Sequence, residues 1–309
     1  MKNRLLVVNY HYIRKIIPSN GIHPITPYHF SNQLDLISKN GYDFISIENL
    51  NEAILKKNLE SLPKKSCLIT FDDGLKESYD NGYRILNEKG IPGVFYIISD
   101  AIKYKKLMGA HKIHYLRSIL SNSKFIELLR LQNIEEQLNS EIAKEQYIFD
   151  DEKTAKLKYI LNFIVNDSNI IDKIFLEVSD IDEKILANDL YMSAENIKDL
   201  SDKGFLGTHG KNHVPLAKLS STEIYNNIRG SMDYIAKTVG KSPSSISYPY
   251  GETTAISKKL FNTCKDLNLI SGFTMKRGIN TGEDIINNPL ELKRFDTNEV
   301  YGGKFDHKI

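Results

Sequence analysis

The chain contains no tryptophan and only two cysteines among its 309 residues. Cys67 and Cys264 both lie in apolar segments, and two cysteines build neither a disulfide framework nor a cysteine-based zinc site. We therefore expect them to be core residues of a protein from a reducing compartment. The sequence also lacks an excess of charge of either sign, since its net charge is +2. Such a balance gives no reason to expect a nucleic-acid partner.

Long apolar runs are absent as well, and no stretch approaches the length of a transmembrane segment. The apolar run at residues 5–8 follows a basic start but is shorter than the apolar region of a signal peptide. We interpret this run as a first core strand and expect a cytoplasmic protein. The composition, 41% hydrophobic and 26% charged, is typical of a globular protein with a sizeable core.

Strand-type apolar runs alternate with helical patterns over residues 1–100 and again from residue 191. This order predicts a parallel sheet built of βα units, hence an α/β fold. Helices are expected over 51–59 and, with a long buried stripe, over 220–240. The predicted strands cover residues 5–10, 44–47, 67–71, 93–98, 205–208, 245–248, 270–274 and 292–295.

Residues 101–190 break this alternation with helical periodicity, a single glycine and no proline. Their charge is uneven, because most of the charged residues in 101–130 are basic and most of those in 131–200 are acidic. We predict a helical insertion in a single catalytic domain that covers 1–309. A solvated cap is favoured, since charge runs are usually solvated faces. A lid or docking surface, with its basic start facing a phosphate group or a membrane surface, is the alternative.

The stretch 67–74, Cys-Leu-Ile-Thr-Phe-Asp-Asp-Gly, delivers two carboxylates directly after a buried strand. α/β folds place catalytic groups at this edge of the sheet. Adjacent acids on an extended backbone point to opposite sides, so Asp72 and Asp73 are expected to have different tasks. One would hold a metal ion and the other would handle a proton. A loop of solvated acids is the alternative.

His209 and His213 follow a later predicted strand and are four residues apart. On a helical turn these positions share a face, so both imidazoles can reach one ion. Two histidines and a carboxylate suit Zn²⁺ or another divalent transition metal. His111 and His114 have no strand before them and no acidic context, and we interpret them as structural or surface residues.

Three motifs occur in a fixed order: Thr-Phe-Asp-Asp-Gly at 70–74, His-x-x-x-His at 209–213 and Tyr-Pro-Tyr-Gly at 248–251. Together they resemble the polysaccharide deacetylases, the NodB-homology family of carbohydrate esterases. The resemblance covers about 1–100 and 191–300 and leaves the helical insertion outside. It implies an irregular (β/α)7 barrel in which the three motifs meet at one mouth.

The resemblance also implies residue roles. Asp73, His209 and His213 match the metal ligands, with Zn²⁺ favoured and Co²⁺, Ni²⁺ or Fe²⁺ as alternatives. Asp72 matches the catalytic base. The backbone N–H of Tyr250 matches the donor to the oxyanion of the tetrahedral intermediate.

A general acid is still needed for the leaving amine. Most family members supply a histidine near the C-terminus, where this chain has only His307. The segment Val-Asn-Tyr-His-Tyr at 8–12 resembles the circularly permuted branch of poly-N-acetylglucosamine deacetylases, in which the acid follows the first strand. We therefore predict His11 as the general acid, with a structural histidine at a strand end as the alternative.

Several positions depart from the family pattern. Gly210 stands where Ser or Thr is usual, so a supporting hydrogen bond is expected to be missing. Ser247 and Tyr248 stand where Arg-Pro is common, which removes the usual arginine partner of the base. Arg294 is a candidate replacement. We also expect Tyr248, Pro249 and Arg294 to lie where substrate binds.

The predicted function is metal-dependent hydrolysis of an N-acyl group, acetyl above all, on an amino sugar. The substrate is expected to be a glycan or a nucleotide-linked or lipid-linked precursor in surface polysaccharide synthesis. Peripheral membrane contact is compatible with this substrate. One alternative is an amide hydrolase acting on a formamide or another non-sugar C–N bond. A barrel that binds glycan without cleaving it is the other.

Overall fold

The computed structural model describes residues 3–17, 22, 24–134, 140–146, 151–161 and 169–305. These residues divide into two compact units. The first comprises the described residues of 1–16, 24–106 and 187–309, and the second those of 17–23 and 107–186. Most of the second unit belongs to the stretch predicted as a helical insertion. The assignment of the whole chain to one catalytic domain stays a prediction.

The first unit is built on a sheet of mostly parallel strands that curls into an incomplete barrel with helices around it. The strands of the described residues are β1 (Arg4–Tyr10), β2 (Asp43–Phe44), β3 (Lys65–Phe71), β4 (Gly93–Ile97), β5 (Leu206–Thr208), β6 (Ser245–Ser247), β7 (Ser271–Phe273), β8 (Asn280–Thr281) and β9 (Phe295–Asp296). Their order is β7-β6-β5-β4-β3-β1-β8, while β2 pairs with β3 and β9 with β1. The predicted irregular α/β barrel is thereby confirmed.

Helices of the first unit follow most strands, as the alternating pattern predicts. They are α1 (Pro27–Lys39), α2 (Ile47–Lys56), α3 (Arg84–Lys89), α4 (Ser99–Tyr104), α11 (Ala194–Asp202), α12 (Ser221–Val239), α13 (Lys258–Asp266) and α14 (Gly282–Asn287). The long helix α12 has the predicted ends. Ser220 and Glu223 form its capping box, and Gly240 ends it with a φ of 79°.

The central strands alternate between two faces of the sheet. Leu6, Val8 and Tyr10 of β1 pack in one cluster with Cys67 and Ile69 of β3 and with α1. Leu5, Val7 and Leu68 belong to another cluster, which also contains Tyr96 and Phe273. Since side chains alternate along a strand, Asn9, Thr70 and Asp72 continue this second face toward the ends of β1 and β3.

Three short elements differ from their predicted bounds, and a fourth, β8, was not predicted. Strand β2 ends at Phe44, because Ser46 caps α2 and the helix begins at Ile47 instead of residue 51. A capping side chain so close to the strand leaves no room for a strand over 44–47. At the other end of the chain, β9 begins at Phe295, while Leu292 forms a single bridge to Phe273. The antiparallel β8 is too short for a periodic signal.

The second unit is helical in its described part. It contains α5 (Gly109–Ile119), α6 (Asn122–Leu131), α7 (Ser140–Gln146), α8 (Glu152–Tyr159), α9 (Asn169–Val178) and the start of α10 (Glu183–Leu190). Lys112 is buried there, 2.6 Å from Asp172 and 3.0 Å from Glu183. Across the described residues of the whole chain, no helix is long and apolar enough to cross a membrane.

Candidate active site

The carboxyl ends of the parallel strands place the predicted residues at one edge of the sheet. Asp72 directly follows β3. The neighbouring strand β1 ends at the same level as β3, since Tyr10 pairs with Phe71. His209 follows β5, whose Thr208 pairs with Ile246 of β6. Parallel strands in register must deliver the residues that follow them to the same side. This register brings together motifs that are far apart in sequence.

Asp73, His209 and His213 form a cluster in which one potential ligand atom from each lies within 4.8 Å of the others. The Nε2 atom of His213 is 3.2 Å from Asp73 Oδ1, and that of His209 is 3.4 Å from the same oxygen. All three side chains are less than one tenth exposed. The backbone of Asp73 has a φ of 72°, which interrupts the strand geometry directly after Asp72.

The spacing of these atoms suits a first-row divalent ion. With metal–ligand bonds of about 2.0–2.1 Å and tetrahedral angles, neighbouring ligand atoms lie about 3.3 Å apart. The observed N···O distances of 3.2 and 3.4 Å agree with that value. One carboxylate and two imidazoles are also the donor set that zinc accepts while keeping a position open. The residues present therefore fit the ion that the motifs predict.

His209 is held in the tautomer that a metal ligand needs. Its Nδ1 lies 2.8 Å from the carbonyl oxygen of Ser247, which can only accept a hydrogen bond. Nδ1 must therefore carry the proton, and the lone pair is left on Nε2, the atom that faces Asp73. The backbone N–H of His209 also bonds to Ile97 O at 2.9 Å, so the residue extends the β4–β5 pairing.

The segment between the two histidines is a loop and not the helical turn that the i, i+4 spacing suggested. Gly210 and His213 have positive φ values of 75° and 55°, which no α-helix contains. The two imidazoles nevertheless approach each other, with ring centroids 5.2 Å apart. The Tyr250 ring packs edge-on against His213 at 4.8 Å. Backbone turns, and not a helix face, thus bring the second histidine to Asp73.

Asp72 forms a buried ion pair with Arg294. The guanidinium donates from Nη1 to Oδ1 at 3.0 Å and from Nη2 to Oδ2 at 2.9 Å. Burial alone would raise the pKa of Asp72, but the charges of Arg294 and His209, together with the hydrogen bonds from Arg294, outweigh it and lower this pKa from 3.8 to about 2. Asp72 is therefore a carboxylate at neutral pH.

The other donors of Arg294 are satisfied by residues of β1 and β6 and by the residue that follows β7. Nε donates to Thr274 O at 2.9 Å, Nη1 to Asn9 Oδ1 at 2.9 Å, and Nη2 to the Ser247 hydroxyl at 2.9 Å. The guanidinium is completely buried. The prediction that Arg294 contacts substrate needs correction, because its side chain is buried against Asp72. The alternative considered from the sequence, that Arg294 is the arginine partner of Asp72, agrees with this geometry.

Tyr248 also needs correction as a substrate-binding residue. Its side chain is 1% exposed, packs in a core cluster with Leu260 and Cys264, and donates its hydroxyl hydrogen to Leu290 O at 2.8 Å. The bulk of the ring is used in packing α13 against β6. Pro249 is buried as well, whereas Tyr250 is partly exposed and has a φ of 64°.

His11 follows β1 and is partly exposed at the same edge of the sheet. The pKa of Asp72, which burial raises and Arg294 lowers, is also lowered by charge at His11, so the two side chains are neighbours electrostatically. His307, the other histidine considered for the acid, lies outside the described residues. His111 is buried in α5, with its ring centroid 5.8 Å from that of His114.

Sequence reasoning missed two kinds of supporting residue. Asn9 donates to Asp72 Oδ2 at 3.1 Å and accepts from Arg294. From the sequence, Asn9 was only a member of the Val-Asn-Tyr-His-Tyr segment and had no role of its own. Asn227 of α12 accepts from the backbone N–H of Lys211 at 2.8 Å, inside the histidine loop. An Asn at a position of the buried stripe of α12 was the available signal, because a buried amide requires partners.

The chain matches the family model described as polysaccharide deacetylase over residues 60–130 and 146–269, more than half of its length. The matched ranges contain Asp72, Asp73, His209 and His213, but neither His11 nor Arg294. They also include much of 101–190, so the match extends into the helical stretch that sequence analysis placed outside the resemblance.

Among curated proteins, the chain is 28% identical over 139 residues to the poly-beta-1,6-N-acetyl-D-glucosamine N-deacetylase of Staphylococcus epidermidis. That alignment covers 41% of this chain and 45% of the relative, so less than half of the relative's length is matched.

Similar solved structures agree in fold. The deacetylase PplD of Streptococcus pyogenes has a TM-score of 0.60 at 17% identity and covers 96% of this chain and 93% of its own. IcaB of Ammonifex degensii has a TM-score of 0.58 at 16% identity, with 94% and 91% covered. The de-N-acetylase of Aggregatibacter actinomycetemcomitans has a TM-score of 0.60 at 14% identity, with 98% of both chains covered.

Proposed function

The chain belongs to the polysaccharide deacetylase family, and from this premise we propose that it is a metal-dependent hydrolase that removes N-acetyl groups from the amino-sugar units of a glycan. One observation carries the proposal above all. A triad suited to a divalent ion lies directly beside a buried, ionised carboxylate at the carboxyl edge of the sheet. Hydrolysis of an amide needs this combination of an electrophile and a base.

Asp73, His209 and His213 would hold the ion. Bound there, a divalent ion supplies Lewis-acid chemistry, because it polarises the acyl carbonyl and lowers the pKa of water. Among the described residues, no other group of three His, Cys, Asp or Glu side chains has this arrangement. Zn²⁺ is the ion we propose first, with Co²⁺, Ni²⁺ and Fe²⁺ as alternatives, since imidazole and carboxylate ligands suit all of them.

Asp72 would act as the general base. Of its two carboxylate oxygens, Oδ2 accepts from both Arg294 and Asn9, while Oδ1 accepts from Arg294 alone. A carboxylate oxygen has about two acceptor positions, so Oδ1 keeps one for a proton. Because the pKa of Asp72 lies at about 2, the side chain is ionised at neutral pH and is available to accept a proton.

His11 would protonate the leaving amine. It directly follows β1, the strand paired with β3, and is partly exposed, as a group that meets substrate must be. The positive φ of Tyr250, 64°, turns the chain at the end of β6 beside His213. We assign the backbone N–H of Tyr250 to the oxyanion of the tetrahedral intermediate and its partly exposed ring to the substrate side of the site.

The proposed substrate class is a polymer that contains N-acetylated glucosamine units. Support comes from the name of the Staphylococcus epidermidis relative, which specifies a poly-β-1,6-linked N-acetylglucosamine. A nucleotide-linked or lipid-linked amino-sugar precursor remains our hypothesis for a cytoplasmic enzyme. Both substrate kinds present the same N-acetyl group to the ion and to Asp72, so one assay can compare them.

The test measures metal content and acetate release together for wild type, Asp72→Asn and His209→Ala. Substrates are N-acetylglucosamine oligomers of β-1,6 and β-1,4 linkage and a nucleotide-linked N-acetylglucosamine. We expect His209→Ala to lose the ion, and Asp72→Asn to keep the ion but lose acetate release. Formate release from formamides without acetate release would favour the alternative amide hydrolase. A wild type that binds Zn²⁺ or Co²⁺ but releases no acyl group would favour a glycan-binding barrel.

A further inference from the structure

The two histidines of the triad are supported to different degrees by the sheet. His209 is anchored by its backbone bond to Ile97 and by its Nδ1 bond to Ser247. His213 follows three loop residues and has a φ of 55°, a value uncommon for a side chain with a Cβ. The position of the His213 ring therefore depends on what holds residues 210–212.

Asn227 of α12 holds the middle of this loop with both ends of its amide. Its Oδ1 accepts from the backbone N–H of Lys211 at 2.8 Å, and its Nδ2 donates to Asn212 Oδ1 at 2.7 Å. The side chain is only 8% exposed. A buried amide with both polar atoms engaged has little freedom to move, because each lost bond leaves a desolvated group.

The opposite side of the loop is held by the start of α4. Ser99 N–H bonds to Gly210 O at 3.2 Å and Asp100 N–H to Lys211 O at 2.9 Å. The peptide groups on either side of Lys211 are thus held by two helices. The start of α4 binds the loop carbonyl oxygens, and Asn227 of α12 binds the backbone N–H of Lys211. The Asn227 amide is the side-chain part of this clamp and is open to substitution.

Gly210 and Asn227 fit each other. A Cβ placed on Gly210 would lie 2.7 Å from Asn227 Oδ1, closer than real Cβ atoms approach such an atom. No side chain at position 210 is compatible with the Asn227 amide where it stands. Asn227 of α12 therefore occupies the space that a side chain at position 210 would need.

We propose that Asn227 is a positioning residue of the metal centre, which sets the loop conformation that presents His213 to the ion. The inference rests on the proposed function, since it assumes that Asp73, His209 and His213 bind a divalent ion. It goes further by assigning part of the metal affinity to a side chain on α12 that contacts neither ion nor substrate. Loss of outer contacts of this kind commonly weakens metal binding by 10- to 100-fold.

The experiment compares wild type, Asn227→Leu, Asn227→Asp and the matched control Asn226→Leu. Leu shares the branched shape of the Asn side chain, although it is larger, and neither accepts nor donates a hydrogen bond. Asp keeps the acceptor for Lys211, and Asn212 can rotate its amide to donate to it. Asn226 is the adjacent residue on α12 and is exposed. The readouts are Zn²⁺ affinity by competition with a chromophoric chelator, the visible spectrum of the Co²⁺-loaded protein, and the melting temperature of the ion-free protein.

We expect Asn227→Leu to bind Zn²⁺ about tenfold more weakly, with an altered Co²⁺ spectrum, and Asn227→Asp and Asn226→Leu to stay close to wild type. Weaker binding in the folded Asn227→Leu protein supports the proposal, because a purely structural role would lower only the melting temperature. Unchanged Zn²⁺ affinity in Asn227→Leu overturns it. If Asn227→Leu does not fold, an Asn227→Asp variant that is equally impaired in folding and in Zn²⁺ binding also overturns the proposal. Failure of wild type itself to bind Zn²⁺ or Co²⁺ would instead refute the proposed metal site.

Discussion

The two sides of the candidate site are built differently. Asp72 directly follows β3 and is held by Arg294 and Asn9, and Ser247 accepts a further hydrogen bond from the guanidinium. His213 lies in a loop and depends on backbone turns and on the amide of Asn227. Asp72 is thus fixed by side chains from other parts of the chain, whereas His213 is fixed through its own backbone. Side-chain charge should therefore dominate the first side and local conformation the second.

The largest expected effect comes from breaking the ion pair on the Asp72 side. Arg294→Met removes the cation that is paired with a buried carboxylate, so we expect the ion-free protein to lose about 3–5 kcal/mol of unfolding free energy. Chemical denaturation measures this loss. The matched control is Arg229→Met, whose exposed pair with Asp233 should be worth less than about 1 kcal/mol. Equal effects of the two substitutions would contradict the comparison.

The same variant has a pH signature. The folded pKa of Asp72, which burial raises but Arg294 lowers, lies at about 2, below its ordinary 3.8. A carboxyl group whose pKa is lower in the folded state stabilises that state at any pH above its ordinary pKa. This stabilisation is lost as the pH falls from the ordinary pKa toward the pKa of the folded state. The gap in unfolding free energy between wild type and Arg294→Met should therefore narrow between about pH 4 and pH 2. A gap that stays constant over this range would show that Asp72 is not the group responsible.

Adding a divalent ion should act on the other side of the site. At a free Zn²⁺ concentration 100 times Kd we expect about 2.7 kcal/mol of added stability, because the ion binds only the folded triad. Hydrogen exchange should slow at the amides of 210–213 and change little at Asp72, which is already held by Arg294. Equal protection of both segments would mean that the ion orders the whole edge of the sheet.

Gly210→Ala tests the loop with a smaller effect. Gly210 and Gly240 have similar φ values, 75° and 79°, but only at Gly210 would a Cβ meet a neighbour. Gly240→Ala should therefore cost about 1–2 kcal/mol from backbone strain alone. Gly210→Ala should cost more than this and should also weaken Zn²⁺ binding, because it displaces the Asn227 amide. Identical costs and unchanged Zn²⁺ affinity would show that the contact does not matter.

Ser247→Ala should have the smallest effect and should separate the two sides. The hydroxyl of Ser247 accepts from Arg294, whereas its backbone carbonyl holds His209. Removing the hydroxyl leaves one buried donor of Arg294 without its acceptor, at a cost of about 1–3 kcal/mol, but leaves the carbonyl in place. We expect reduced stability with unchanged Zn²⁺ affinity. A loss of Zn²⁺ binding would mean that the two sides are coupled through β6.

Much of this arrangement is readable in the sequence. The apolar runs at β1, β3 and β4 have the composition of strands buried on both faces, and their order with helices predicts a parallel α/β sheet. The ends of α12 follow from a capping box and a glycine, which act locally. Asp72 and His209 are recognisable because each directly follows a strand, with Asp73 and His213 close behind them, and parallel strands end at the same edge.

Other features depend on residues distant in sequence. The Arg294 pair with Asp72 joins positions 222 residues apart, and no local pattern distinguishes Arg294 from a surface arginine. Tyr248 is part of a recognisable motif, yet its ring is used in packing against α13. The i, i+4 spacing of His209 and His213 suggested a helical turn, but the positive φ of Gly210 and the Asn227 amide hold a loop instead.

The sequence by itself determined the class of fold, the order of its elements and the chemical kind of the site, because hydrophobic periodicity, caps and strand-end residues act over short distances. Tertiary structure alone decided which arginine partners Asp72, which side chains lie behind the site instead of facing substrate, and what holds His213. These outcomes depend on sheet register and on hydrogen bonds between elements far apart in the chain, and such contacts exist only once β1, β3, β4, β5 and β6 are paired in one sheet.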